Sequence, residues 1–240
     1  IGAANIAAFV AEPLVGAAGA AIHPPPDYYS AVAACCRRHS ILFIADEVMT
    51  GLGRTGEWFG LNHWNTTADI CVIGKSLGAG YAPIAATLMT SEVLEPIRSG
   101  SALIMSGHTY SANPLSCGTA LEVLKTIEED NLLEAVSIRG NHLLSELENI
   151  RCSGSIITKV RGKGLMTGVE FDPAEKGMQA RVINRCFENG LLVYPSVGGP
   201  EGKDENAILV TPPFTISEVE LDQLLSILRK SIDEAVNRRD

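Results

Sequence analysis

Two short apolar runs constrain this chain more than anything else in it. Ile41–Ala45 leads into Asp46-Glu47, and Ile70–Ile73 leads, one glycine later, into Lys75. Continuous apolar runs of this length read as strands buried on both faces, the kind found in parallel sheets. One strand that delivers an acid and another that delivers an amine can place both at one edge of a sheet. The rest of the chain reads as support for that edge.

In chain order, Ile6–Val10 is a buried strand closed by Glu12-Pro13, and Val15–Ala21 is a Gly/Ala loop. Pro24–Pro26 stops it. Asp27 can cap a helix through about His39, with Arg37, Arg38 and His39 in the last turn, where cations suit the dipole. Strand, helix, strand predicts a parallel βαβ unit. A Gly-rich loop follows at Gly51–Gly60, then the strand Ile70–Ile73, a strand at Pro83–Met89 and a helix from Ser91 to about Arg98. Ser101–Asn113 is a polar loop. Asn113-Pro114 opens the next helix with a cap and a proline at the first position.

A helix at about Asn131–Ile150 ends this pattern. Ile156–Val160 and Leu165–Phe171 read as strands joined by Arg161-Gly162-Lys163-Gly164. A helix runs from about Ala174 to Asn189-Gly190. Leu191–Tyr194 and Ala207–Val210 are strands around an exposed loop, Gly198–Asn206. Ser217 and Glu220 form a capping-box pattern before an amphipathic helix with Leu221, Leu224, Leu225, Leu228 and Ile232 on one face. The expected organisation is an α/β large domain with a mainly parallel sheet over residues 1–140, and a smaller α+β domain over 141–240.

Composition narrows the function. The net charge is −9, there is no basic run and aromatics make up 5%, which argues against nucleic acid and anionic membrane as partners. No apolar run is long enough to span a bilayer, and there is no signal peptide. Six cysteines without a CxxC pair predict reduced thiols in a cytoplasmic protein, with neither a disulfide framework nor a metal site. The chain opens on Ile1 without methionine and enters a strand almost at once, which reads as the C-terminal part of a longer protein.

The central stretch holds competing motifs. Gly51–Gly56 fits GxGxxG, but Glu57-Trp58-Phe59-Gly60 does not read as the helix a dinucleotide site needs. Gly74-Lys75-Ser76 resembles the end of a phosphate loop, but the required earlier glycine is Asp69, an acid that would repel phosphate. Gly74–Gly78 fits GxSxG with Ser76 as a hydrolase nucleophile, but no histidine follows His142 to serve as base. A fourth reading uses Asp46 and Lys75 together. A lysine amine can form a Schiff base with an aldehyde cofactor. Pyridoxal phosphate (PLP) works as an electron sink when a carboxylate keeps its ring nitrogen protonated. Val48 could supply the apolar contact on the ring. On spacing alone, a pair of solvated surface charges remains the alternative.

The stretches DEVMTGLGRTG and ADICVIGKSLGAGYAP resemble the signature of class III PLP-dependent aminotransferases, which have the type I fold. FVAEPLVGAAG, SGHTYSANPLSCGTALEVLKTIEE, RGKGLMTGVEF, ENGLL and TPPFTISEVELD extend the resemblance over nearly the whole chain. The resemblance implies transfer of an amino group from an amino acid or amine to a keto acid such as pyruvate. Lys75 would be the Schiff-base lysine and proton shuttle, Asp46 the partner of the ring nitrogen, and Val48 the ring contact. Thr109, with His108 beside it, would reach the cofactor phosphate of a neighbouring subunit, so a homodimer is implied. Glu12 and Arg54 match recurring positions with supporting roles, and a structural salt bridge is an equal alternative for Arg54. Met49 stands where many members carry a glutamine that contacts the ring hydroxyl, and Ile208–Pro213 lacks the arginine many carry for the α-carboxylate. The place of a mobile arginine in some ω-transaminases holds Glu218. These departures favour the ω-amino acid or amine:pyruvate group. The family's N-terminal half, with its phosphate-cradling loop and ring-stacking aromatic, is missing from these 240 residues, so the chain alone is expected to be incomplete as an enzyme. Decarboxylase, aminomutase and racemase chemistry share the Lys/Asp pair. A silent fragment and a hydrolase at Ser76 stay open as other classes.

Overall fold

The computed structural model describes residues 1–154, 156–196 and 206–237. The chain divides into two compact units. The first comprises Ile1–Pro13, Pro24–Gly53 and Glu57–Asn131; the second comprises Leu14–His23, Arg54–Gly56 and Leu132–Asp240. No helix among the described residues is long and apolar enough to cross a membrane.

The first unit is built on β1 (Ala8–Ala11), α1 (Tyr28–Arg38), β2 (Leu42–Asp46), β3 (Ile70–Ile73), β4 (Ala86–Met89), α2 (Ser91–Ser99) and α3 (Pro114–Glu129). Its sheet order is β1-β2-β3-β4. β1 and β2 pair in parallel with Phe9 opposite Phe43, and β2 and β3 pair in parallel with Asp46 opposite Val72. β4 returns antiparallel, with Ala86 opposite Ile73. Tyr29, Ala33 and Cys36 recur at helical spacing and form the buried stripe of α1. The Tyr29 ring stacks on Phe43 at 5.9 Å and meets Trp64 edge-on at 5.2 Å. Its hydroxyl donates to the Glu12 carbonyl. Burial pushes the phenol's pKa up, so it stays a neutral donor. Trp64 Nε1 donates to Pro25 O at 3.1 Å. This aromatic cluster fixes where the chain leaves β1 and where it re-enters through α1.

The second unit carries α4 (Leu132–Cys152), β5 (Ile157–Lys163), β6 (Met166–Phe171), α5 (Met178–Glu188), β7 (Tyr194–Pro195), β8 (Ala207–Val210) and α6 (Glu218–Asn237). Its sheet, β5-β6-β8-β7, is antiparallel throughout. Val136, Leu143 and Leu147 of α4, Val169 and Phe171 of β6, Val182 of α5 and Leu221 and Leu228 of α6 close one core. The capping box at α6 is formed: Ser217 N donates to the Glu220 carboxylate at 2.8 Å and Glu220 N donates to Ser217 Oγ at 3.2 Å. The Asn113 cap of α3 is formed too, its Oδ1 accepting from Leu115 N at 3.0 Å and Ser116 N at 3.2 Å.

The loop Leu14–His23 is held inside the second unit. Arg161 donates to Ala20 O and Gly19 O, each at 2.9 Å, and pairs with the Glu170 carboxylate. Val15 bridges to Ile22, and Ser196 Oγ donates to Ala17 O at 3.1 Å. Gly168 makes room: a Cβ there would come within 1.8 Å of Ala20 O.

Several sequence expectations shift. Arg161-Gly162-Lys163 is strand rather than connection, because β5 pairs with β6 as far as Lys163 opposite Met166, leaving a two-residue turn, Gly164-Leu165. α5 begins at Met178 rather than near Ala174. The preceding loop wraps Asn206, whose Nδ2 donates to Asp172 O and Glu175 O and whose Oδ1 accepts from Gln179 N. β7 covers Tyr194–Pro195, not Leu191–Tyr194. Asp27 occupies the N-cap position of α1, but its side chain makes no cap bond. Apart from Asn206, the expected loop Gly198–Asn206 lies outside the described residues.

Thr167, on β6, is fully buried, and its hydroxyl has no hydrogen-bond partner among the described residues. Thr167→Val is expected to raise stability by about 1 kcal/mol, because it removes an unsatisfied hydroxyl at constant shape. Gly168→Ala is expected to cost about 2 kcal/mol through its collision with Ala20 O. Urea unfolding of both variants measures the two effects.

Candidate active site

Asp46 is the last residue of β2, and Lys75 follows β3 after Gly74. The parallel register brings these two strand ends together, and Glu47 N extends the ladder by donating to Val72 O at 2.9 Å. The carboxyl ends of parallel strands are where ligand-binding groups collect in open α/β sheets. Val48 joins the two exits: a Cβ placed on Gly74 would lie 3.7 Å from Val48 Cγ1 and 3.6 Å from Ala85 Cβ. These are ordinary contact distances, so Val48 packs next to residue 74, one residue before the lysine.

Asp46 is half-buried. Its Oδ1 accepts from Val48 N at 3.1 Å, and its Oδ2 has no hydrogen-bond partner among the described residues. Lys75 is exposed and opens a 3₁₀ turn, Lys75–Leu77, in a left-handed conformation with φ of 42°. A non-glycine residue held there stores roughly 1–3 kcal/mol of strain, a cost that structures tolerate where they aim a functional side chain. Gly78 closes the turn, where a Cβ would come within 2.1 Å of Ala82 O. Lys75 has no ion-pair partner among the described residues.

His108 and Thr109 lie elsewhere, on the exposed loop between α2 and α3. His108 N donates to Ser111 Oγ at 3.0 Å, and Ser111 N donates to His108 O at 2.9 Å, so the loop is a local turn. No hydrogen bond among the described residues joins it to Asp46, Val48 or Lys75.

Glu47 is the residue that sequence reading passed over. It is 1% exposed, and its carboxylate accepts from Thr50 Oγ1, from Gly60 N at 2.8 Å and from Leu61 N at 3.0 Å. Burial pushes its pKa up, and these three donors oppose that rise. The available signal is an acid after an apolar run with a threonine three residues on, a pattern that reads equally well as a solvated turn.

A model of the class-III aminotransferases matches residues 2–232. The chain belongs to that family. An uncharacterized aminotransferase of Bacillus subtilis, YodT, is 46% identical over 97% of this chain and 54% of its own length. The mitochondrial ornithine aminotransferase of rat is 36% identical over 95% of the chain and 49% of its own length. The PLP-bound amine transaminase of an uncultivated Pseudomonas species superimposes with a TM-score of 0.88 at 36% identity, over 98% of this chain and 53% of that one. The chain thus spans about half the length of the curated relatives it matches, and its fold is that of the class-III aminotransferases.

Pyridoxal phosphate is the cofactor of this family, and the residues present fit it. An amine with no ion-pair partner among the described residues, a carboxylate with an uncommitted oxygen and a valine packed next to residue 74 lie at the carboxyl ends of two neighbouring strands. The competing motifs take other places in the fold. Gly51–Phe59 holds no helix, and a 3₁₀ turn starts only at Gly60; the loop folds back on itself, with Leu52 N donating to Trp58 O and Gly53 N to Glu57 O. Asp69 Oδ2 accepts from Phe43 N at 2.7 Å and so serves the sheet. Ser76 sits in the 3₁₀ turn, with no histidine bonded to it among the described residues.

Arg54 makes no salt bridge among the described residues. Its Nη1 donates to Leu165 O at 3.0 Å and Pro212 O at 2.6 Å, and its guanidinium lies 4.5 Å from the Phe214 ring centroid. Burial pushes its pKa down to about 10. The residue is a fastener of the second unit. Arg54→Met is expected to lower stability by about 2 kcal/mol, since two carbonyls lose their donor. Chemical denaturation of the variant checks this.

Proposed function

We propose that this chain supplies the lysine and ring-nitrogen carboxylate of a PLP-dependent aminotransferase, which moves an amino group from an amino acid or amine to a keto acid such as pyruvate. The observation that carries the reading is the convergence of Asp46, Val48 and Gly74-Lys75 at the carboxyl ends of two parallel strands, in a chain of this family. Lys75 Nζ would hold the cofactor covalently and, once displaced by the donor, move a proton at the donor carbon. Asp46 Oδ2 would hold the proton on the ring nitrogen, and Val48 would lie against the ring face. The bound cofactor supplies the electron sink that lets the donor carbon lose its proton.

Thr109 and His108 are proposed as phosphate contacts offered to a neighbouring subunit. Their exposed loop carries Leu103, Ile104, Met105 and Tyr110 toward solvent in the single chain, which supports a homodimer. The full site is proposed to need further walls, from that subunit and from an N-terminal segment of the kind its longer relatives have. An amine or ω-amino donor is favoured because Ile208–Pro213 carries no cation for an α-carboxylate. The names of the ornithine and amine transaminase relatives agree with that choice. The cytoplasm is the proposed location.

With the chain joined to such an N-terminal segment, borohydride treatment in the presence of PLP is expected to fix one pyridoxyl group, found on the Lys75 peptide by mass spectrometry. A label elsewhere, or none, overturns the assignment. Asp46→Asn is expected to keep the label and lower turnover by about two orders of magnitude, measured with amine donors and pyruvate.

A further inference from the structure

Glu47 follows Asp46 directly and leaves β2 on the other side, because successive side chains of a strand alternate. Its carboxylate is enclosed, and each of its hydrogen-bond partners among the described residues donates to it: Thr50 Oγ1, Gly60 N and Leu61 N. One oxygen takes two of these and the other takes the third, which is the demand of an ionised carboxylate. Its backbone is used as well, with Glu47 N on Val72 O and Gly51 N on Glu47 O, each at 2.9 Å. Thr50 and the Gly60-Leu61 backbone are therefore gathered on this one side chain. Gly60 can approach it only as glycine, since a Cβ there would lie 3.0 Å from Glu47 Oε2 and 2.9 Å from both Thr50 and Pro13.

The turn fixed in this way contains Val48. Val48 N orients Asp46 Oδ1, and the Val48 side chain stands beside Gly74, the residue before Lys75. We infer that Glu47 is a positioning residue: its buried carboxylate locks the turn that aims Asp46 and holds Val48 at the cofactor face. The inference rests on the function proposed above. Glu47 does not touch the cofactor itself; it acts through the two residues that flank it.

Glu47→Gln keeps the shape but points an amide N–H₂ at backbone donors that need an acceptor. In the purified protein joined to an N-terminal segment of the kind its longer relatives have, this variant is expected to bind PLP about tenfold more weakly, with a shifted cofactor absorbance maximum, at a temperature where circular dichroism shows it folded. Thr50→Val removes one of the three donors and is expected to weaken binding about threefold, whereas Thr50→Ser, which keeps the hydroxyl, stays within about twofold of wild type. A folded Glu47→Gln protein with wild-type affinity and absorbance overturns the inference. So does unfolding of both Glu47→Gln and Thr50→Val, because the residue is then one of global stability. Failure of the wild-type chain, joined to that N-terminal segment, to bind PLP sinks the functional reading instead, which keeps the two failures apart.

Discussion

The parallel pairing of β2 with β3 is the constraint on which the site depends. Side chains alternate along a strand, so Asp46 and Glu47 must leave β2 in opposite directions. The register with Asp46 opposite Val72 decides which carboxylate is enclosed and which is left at the edge. A slip of one residue would exchange them. The acid now half-buried beside Val48 would be driven in among Thr50, Gly60 and Leu61, and the enclosed acid would be turned out. Two adjacent acids thus take opposite environments, one half-buried at the strand edge and one enclosed, by sheet geometry alone.

Backbone carbonyls do unusual work in the second unit. Arg161 grips those of Gly19 and Ala20, and Arg54 grips those of Leu165 and Pro212. A guanidinium fits this role because its donors are fixed in a plane and its charge survives burial. Each arginine joins stretches of backbone more than a hundred residues apart in sequence. The glycines at 164 and 168 are the steric counterpart. A Cβ at Gly164 would come within 2.5 Å of the Thr55 backbone, and one at Gly168 would meet Ala20 O.

Local chemistry was the part of the fold most legible in the sequence. β3 and β8 fall where their apolar runs lie, the Asn113 cap and the Ser217/Glu220 box form as their spacing implies, and the leucine stripe of α6 is buried. These features depend on residues a few positions apart. Arg161-Gly162-Lys163 read as a connection because its residue types favour turns, yet the grip of Arg161 on a distant loop and the pairing with β6 keep it in the strand. The start of α5 depends on Asn206, which is remote in sequence. At the site, Asp46 and Lys75 stood out because each ends an apolar run. Glu47 did not, because its three partners lie downstream and only folding shows that all of them converge on it.

The membership of Leu14–His23 and Arg54–Gly56 in the second unit has a consequence for how such chains can be recombined. A single crossover near residue 131, the natural-looking seam in the linear sequence, would graft a foreign second unit onto two loops it had not been selected with. The Gly19 and Ala20 carbonyls need an arginine at 161, and the Arg54 side chain needs open carbonyls at 165 and 212. Chimeras between relatives should therefore inherit three sequence blocks together, and the short ones set compatibility as much as the long one.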